Sequence, residues 1–161
     1  MPVKFVDGDL FQANDLQALA HGCNCAGAMG KGIAVEFRQL FPEMYGEYKR
    51  RCTSGSFQLG DVFCWTENGL TIFNLGTQKS WKTKAELESI KTAVKSMVSI
   101  AEKLEIACIG LPRIGAGLGG LSWETVRAVL VEIGGTTKVE LRVFEFKSDA
   151  TRSNNRSSMD C

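Results

Sequence analysis

Two glycine-rich segments hold the residues best suited to chemistry. The first reads His21-Gly22-Cys23-Asn24-Cys25-Ala26-Gly27-Ala28-Met29-Gly30-Lys31-Gly32-Ile33-Ala34 and leads from an apolar run into a helical pattern. Glycines just before a helix let several backbone N–H groups face outward with no Cβ in the way. The helix start adds partial positive charge, so such a segment suits phosphate oxygens. Lys31 can add a full charge. The second segment, Leu111-Pro112-Arg113-Ile114-Gly115-Ala116-Gly117-Leu118-Gly119-Gly120-Leu121, also follows an apolar run and precedes a helical pattern. Its four glycines within residues 115–120 are more than a connecting turn requires.

Neither segment is diagnostic alone. The first lacks the Gly-Lys-Ser/Thr ending of a Walker loop, and the second lacks the spacing and the following acidic residue of a dinucleotide fingerprint. Together they make a stronger case. Two strand-to-helix loops at the carboxyl ends of strands can enclose a diphosphate from both sides, where open α/β sheets commonly bind ligands. The alternative is that both are tight packing turns. No metal or other cofactor is expected. Cys23, Cys25 and His21, the only histidine, fall short of the four Cys or His ligands of a structural zinc site.

The elements that must position these loops alternate between strand and helix, the pattern of an α/β fold. Strands are predicted at residues 3–6, within 16–22, at 62–65 and 71–75 (a hairpin turning at Glu67-Asn68-Gly69), at 106–111 and at 139–146. The last alternates apolar and polar residues, as a half-solvated edge strand would. Helices are predicted at residues 32–40, 42–51, 85–104 and 123–133, the last with the Ser122 hydroxyl as its N-cap. In the third, Leu87, Ile90, Val94, Met97, Val98 and Ala101 form an apolar stripe that reads as core.

At 161 residues the chain fits one domain, predicted over residues 1–147, with a polar tail over 148–161 read as disordered. A formal net charge of +1 gives no broad basic footprint for nucleic acid or membrane. The six cysteines are scattered, several in apolar runs, and read as reduced thiols. With no signal peptide or membrane-length apolar stretch, the expected setting is the cytoplasm (or nucleocytoplasm), with no membrane partner and a monomeric state.

Four ordered motifs then carry a resemblance over about residues 3–146. They are Gly8-Asp9-Leu10-Phe11, Asn24, Met29-Gly30-Lys31-Gly32-Ile33-Ala34 and Pro112-Arg113-Ile114-Gly115-Ala116-Gly117-Leu118. The pattern resembles a macrodomain, the ADP-ribose-binding fold. It is most similar to the branch with DarG antitoxin macrodomains, the terminal ADP-ribose protein glycohydrolase and the yeast ADP-ribose 1''-phosphate phosphatase. The resemblance implies a three-layer α/β/α sandwich around a six-stranded mixed sheet. It implies that Asp9 accepts from the adenine amino group, that Leu10 donates its N–H to the ring and that Phe144 is an apolar wall. Asn24 would face the distal ribose. Gly30, Lys31, Gly32, Ile33 and Ala34, with Ile114, Gly115, Ala116, Gly117 and Leu118, would hold the diphosphate.

The resemblance breaks where catalysis would lie. DarG-like proteins read Asn-Phe-Pro-Thr-Lys where this chain has Asn74-Leu75-Gly76-Thr77-Gln78, so Gln78 stands in place of a lysine. Lys79 follows one position later, and a one-residue offset on an extended backbone turns a side chain the other way. The second loop, Gly117-Leu118-Gly119-Gly120, also lacks the aspartate that pairs with the lysine in the terminal glycohydrolase. His21 matches a histidine of the yeast phosphatase and is a candidate acid or base, against a structural role at a strand end. The candidate catalytic residues are thus Asn24, His21 and Lys79.

Two functional readings follow. One is a hydrolase that removes ADP-ribose from a modified macromolecule, or phosphate from ADP-ribose 1''-phosphate. The other is a reader that binds ADP-ribose or ADP-ribosylated targets without chemistry. Lys79, Trp81, Lys82 and Lys84 form a basic and aromatic cluster that could touch a nucleic-acid acceptor or could simply be a solvated helix start.

Overall fold

A computed structural model describes residues 3–146. The predicted tail lies outside the described residues. The chain runs β1 (Val3–Asp7), β2 (Ala18–Asn24), α1 (Ile33–Leu40), α2 (Pro42–Ser54), β3 (Val62–Glu67), β4 (Leu70–Gln78), α3 (Leu87–Lys103), β5 (Cys108–Leu111), α4 (Trp123–Gly134) and β6 (Glu140–Phe146). Short 3-10 turns at Leu10–Gln12 and Gly117–Gly119 complete it. The strands form one six-stranded mixed sheet in the order β1-β6-β5-β2-β4-β3. Every pairing is parallel except the β3–β4 hairpin.

The sheet alternation sends side chains to two cores. Ala18, Ala20, Phe73, Leu75, Ile109, Leu111, Leu141 and Val143 face α3 and α4. There the α3 stripe of Ile90, Val94, Met97, Val98 and Ala101 is buried, as its helical spacing predicts. Leu19, Cys23, Ile72 and Phe63 point the other way, onto Phe37 of α1 and Met44 and Tyr48 of α2. Helices on both faces make the three-layer sandwich. The hairpin turns at Asn68 and Gly69, with φ of 51° and 80°, the left-handed pair that matches the twist of the flanking strands.

Two expectations are corrected. β6 is an interior strand, paired with β1 and β5, and not an edge. Its polar alternation arises because the face opposite α3 and α4 is covered there by the segment after β1. Leu10 and Phe144 pack in the second core, while Arg142 binds Asp15 at 2.8 Å and Glu140 at 2.9 Å. Ser122 occupies the N-cap position of α4, but its hydroxyl makes no capping bond.

The parallel strands put the segments after β1, β2, β4 and β5 at one end of the sheet. The register pairs His21 with Asn74 and, after a shift, Asn24 with Gln78. β4 therefore runs three residues beyond its predicted end, so Gln78 is its last residue and Lys79 lies beyond it.

Candidate functional site

At that end the loops enclose a two-lobed cleft. One lobe, of about 620 Å³, is lined by Asp9, Leu10, Phe11, Glu36, Phe144 and Phe146 among others. The other, of about 1110 Å³, is lined by Asn24, residues 28–35, Gln78, Trp81 and residues 114–119 among others. Ile33, Pro112, Arg113, Ala116 and Gly117 line both, so the lobes are continuous.

In the smaller lobe, the Asp9 carboxylate accepts the Phe11 N–H at 3.0 Å and caps the turn Leu10–Gln12. One oxygen is used this way and the other remains an acceptor for a ligand. Leu10 is buried, and Phe144 is half-buried with its ring beside Gly8. Arg113, which the resemblance assigned no role, lies with its guanidinium carbon 4.5 Å from the Phe146 ring centroid.

The first glycine loop is held by Asn24. Its Oδ1 accepts from Ala26 N at 3.0 Å, Ala28 N at 3.2 Å and the Tyr48 hydroxyl at 3.0 Å, while Nδ2 donates to Ala28 O at 2.8 Å. The Tyr48 hydroxyl also reaches Asn24 O at 2.7 Å. Burial pushes that phenol well above its usual pKa, so it remains a donor. Asn24 therefore lines the larger lobe, and its amide also shapes the loop. Tyr48 escaped the sequence reading because nothing in α2 marks one tyrosine as a loop anchor.

No side chain caps the start of α1, where Ile33 and Ala34 line the larger lobe with their first-turn N–H groups. Gly30 also lines it, and a Cβ there would meet nothing within 4 Å. In the second loop the N–H groups of Ile114 and Ala116 bond to Pro112 O and Arg113 O. Those of Gly115, Gly117 and Leu118 have no backbone acceptor among the described residues. Gly117 has φ of 60°, a conformation that disfavours a side chain, and its Cβ direction is open. Donors thus flank the larger lobe from two loops, an arrangement suited to an anion.

Two candidate catalytic residues, His21 and Lys79, lie outside both lobes. His21 is fully buried and lines neither lobe. Its Nε2 is 2.7 Å from Asn74 Oδ1, and its ring stacks on Phe37 with centroids 3.9 Å apart. Burial pushes its pKa down to about 4, partly opposed by the Asn74 bond, so it is neutral at physiological pH. It cannot reach a ligand as an acid or base. Lys79 is exposed and lines neither lobe. Lys31 lines the larger lobe, but its ammonium sits 5.6 Å from the Trp81 ring centroid.

Gln78 does line the larger lobe. Its Nε2 donates to Ser80 O at 2.8 Å and Thr83 O at 2.9 Å, so both amide hydrogens are used and Oε1 is left as an acceptor near Gly119. Among the described residues the thiols give no ready nucleophile. Burial raises Cys23 far above its usual range, and Cys25 is pushed up to about 11 by burial and then by neighbouring Cys52. Among the described residues no group of three or more His, Cys, Asp or Glu could hold a metal ion. No helix among them is long and apolar enough to cross a membrane.

Two predictions follow from this geometry. His21 is held neutral with a pKa of about 4 against an unfolded value near 6.5, so its contribution to stability is complete above pH 6.5 and is lost as pH falls toward 4. Between pH 7 and pH 5 this group should cost about 2 kcal/mol in urea unfolding, and His21→Gln should remove that part of the slope. Equal slopes in the two proteins would contradict the assignment. Gly30→Val should leave the thermal midpoint within about 2 °C, because a surface change away from any packed feature has little effect. It should nevertheless weaken ADP-ribose binding, measured by calorimetry, at least about tenfold by filling the lobe. Unaltered affinity would show that this loop does not touch the ligand.

The Macro domain family model matches residues 20–130. The DNA ADP-ribosyl glycohydrolase of Thermus aquaticus is 34% identical over 148 residues, covering 89% of this chain and 41% of that protein. The chain thus spans about two-fifths of the length of that relative. The human ADP-ribose glycohydrolase OARD1 is 30% identical over 145 residues, 88% of this chain and 90% of that protein. Among solved structures, the macrodomain of Mycobacterium tuberculosis DarG superposes with a TM-score of 0.83 at 32% identity, covering 89% of this chain and 97% of that one. By the family match, the identities and the two-loop cleft, the chain belongs to the Macro domain family.

Proposed function

We propose that this domain binds ADP-ribose along the two lobes and hydrolyses its link to an acceptor at the distal ribose. The observation that carries the reading is the continuity of an Asp9-bearing lobe with one flanked by unpaired N–H groups from both glycine loops. Adenine lies in the first lobe, with its amino group on the free Asp9 oxygen and its face against Phe144. The diphosphate lies between the N–H groups of Ile33 and Ala34 and those of Gly115, Gly117 and Leu118. The distal ribose then reaches toward Asn24 and Gln78. Relatives named as ADP-ribose glycohydrolase, DNA ADP-ribosyl glycohydrolase and ADP-ribose 1''-phosphate phosphatase support a hydrolytic reading.

In that pose, a water accepted by Gln78 Oε1 stands beside the anomeric carbon. Its oxygen bonds to that carbon as the bond to the acceptor breaks. The electron pair goes to the acceptor, which gains in net terms the proton that the water sheds, leaving ADP-ribose and the unmodified acceptor. The rate gain is positional, from orienting water, ribose and phosphates together, with no covalent enzyme intermediate. The scatter of cysteines in apolar runs supports a reducing, cytosolic setting. One chain carries both lobes, so a monomer suffices.

A second reading, a reader without turnover, is favoured by one observation. Gln78, which stands where the family resemblance implies a lysine, has both amide hydrogens committed. Turnover decides between the two. The protein is incubated with ADP-ribosylated DNA, ADP-ribosylated protein and ADP-ribose 1''-phosphate, and released ADP-ribose is quantified. The hydrolase reading predicts release from one of them at least about 100-fold above the buffer rate, a small part of what positioning can supply. Tight binding with no release from any of them leaves the reader.

A further inference from the structure

Beyond β4 the chain forms a short arm fixed at both ends. Gln78 Nε2 grips Ser80 O and Thr83 O, and Ser80 N bonds to Thr83 Oγ1 at 3.2 Å. On the far side Ala85 N bonds to Gly119 O and Glu86 N to Thr77 O, each at 2.8 Å. Trp81 stands on this arm. It lines the larger lobe yet is 58% exposed, the largest side chain among the exposed apolar residues. Two ammonium groups lie over its ring, Lys31 at 5.6 Å from one loop and Lys82 at 5.2 Å from the arm itself.

A rigidly mounted, solvent-facing indole contributes little to the core. Such a ring is a surface on which a flat partner can stack, and the flanking lysines suit the phosphates on either side of that partner. It stands at the lobe that takes the distal ribose, on the side where the acceptor must leave. Charge and shape therefore favour one acceptor class. Carboxylate esters and phosphates have no planar ring to stack, whereas a nucleobase in a single strand has both a π-face and neighbouring phosphates.

We propose that Trp81 is the acceptor platform of this site. It stacks the nucleobase carrying the ADP-ribose, while Lys31 and Lys82 swing from the ring to the adjoining phosphates. Trp81 is thus a specificity-determining residue for single-stranded nucleic-acid acceptors. This inference rests on the ADP-ribose reading of the cleft.

The test compares free ADP-ribose with a short single-stranded DNA that carries ADP-ribose on one base through a carbon–carbon bond, which hydrolysis cannot cleave. The ratio of the two affinities is measured by fluorescence anisotropy and competition. The wild-type protein should prefer the oligonucleotide by on the order of tenfold, within the range of one base–aromatic stack. Trp81→Leu should remove most of the preference and Trp81→Phe should keep most of it, which separates stacking from mere apolar contact. The salt dependence should weaken by a slope of about 0.7 in each of Lys31→Ala and Lys82→Ala, the loss of one single-strand phosphate contact. Binding to ADP-ribose with no oligonucleotide preference, or a preference untouched in Trp81→Leu, would overturn the platform alone. Failure to bind ADP-ribose at all would overturn the reading of the cleft and the platform with it.

Discussion

The site depends on the hydrogen bonds that fold the first glycine loop around the Asn24 amide. A loop that offers its N–H groups to a ligand must leave them without protein partners, and unpaired backbone donors are costly unless water or ligand reaches them. Order has to come from other groups. Asn24 supplies it by taking the N–H groups of Ala26 and Ala28 and giving its own to Ala28 O, while Tyr48 holds it from α2. The next residues, Gly30 to Ala34, are then presented to the cleft from a fixed base. The second loop meets the same demand through its own backbone, with Leu121 N closing on Gly115 O at 2.9 Å and Gly119 N on Ala116 O at 3.1 Å.

This division of labour explains why the larger lobe is poor in ionisable groups. In the proposed pose, recognition rests on dipoles and backbone donors, which tolerate changes of side chain as long as the loop path is kept. Chemistry is more exposed to substitution. With glutamine at residue 78 the lobe offers an amide acceptor fixed by two bonds, and that same amide ties down the arm bearing Trp81. In the proposed pose, one residue thus links the distal ribose to the surface proposed for the acceptor.

Much of the frame was legible because it is written in local patterns. The α3 stripe and the Asn68-Gly69 turn are set by short-range rules, and their positions agree with the structure. The glycine loops were legible for the same reason, as runs that no ordinary turn needs. What could not be read depended on contacts distant in sequence. His21 was open to an acid–base or a structural role, and only the contacts with Asn74 and Phe37 decide for the structural one. The alternation of β6 suggested an edge because the segment that covers its polar face comes from the other end of the chain. Lys31 lines the cleft as its loop position suggests, but only the fold brings Trp81 beneath its ammonium.

The most direct test of the account is a calorimetric titration with ADP-ribose of the wild-type protein and Asp9→Asn. The asparagine can still cap Phe11 with its amide oxygen but turns the free acceptor into a donor that opposes the adenine amino group. The account predicts one ligand per chain in the wild type and an affinity lower by about 1 to 3 kcal/mol in the variant, with the fold intact. No binding by the wild type, or equal affinity in both proteins, would contradict it.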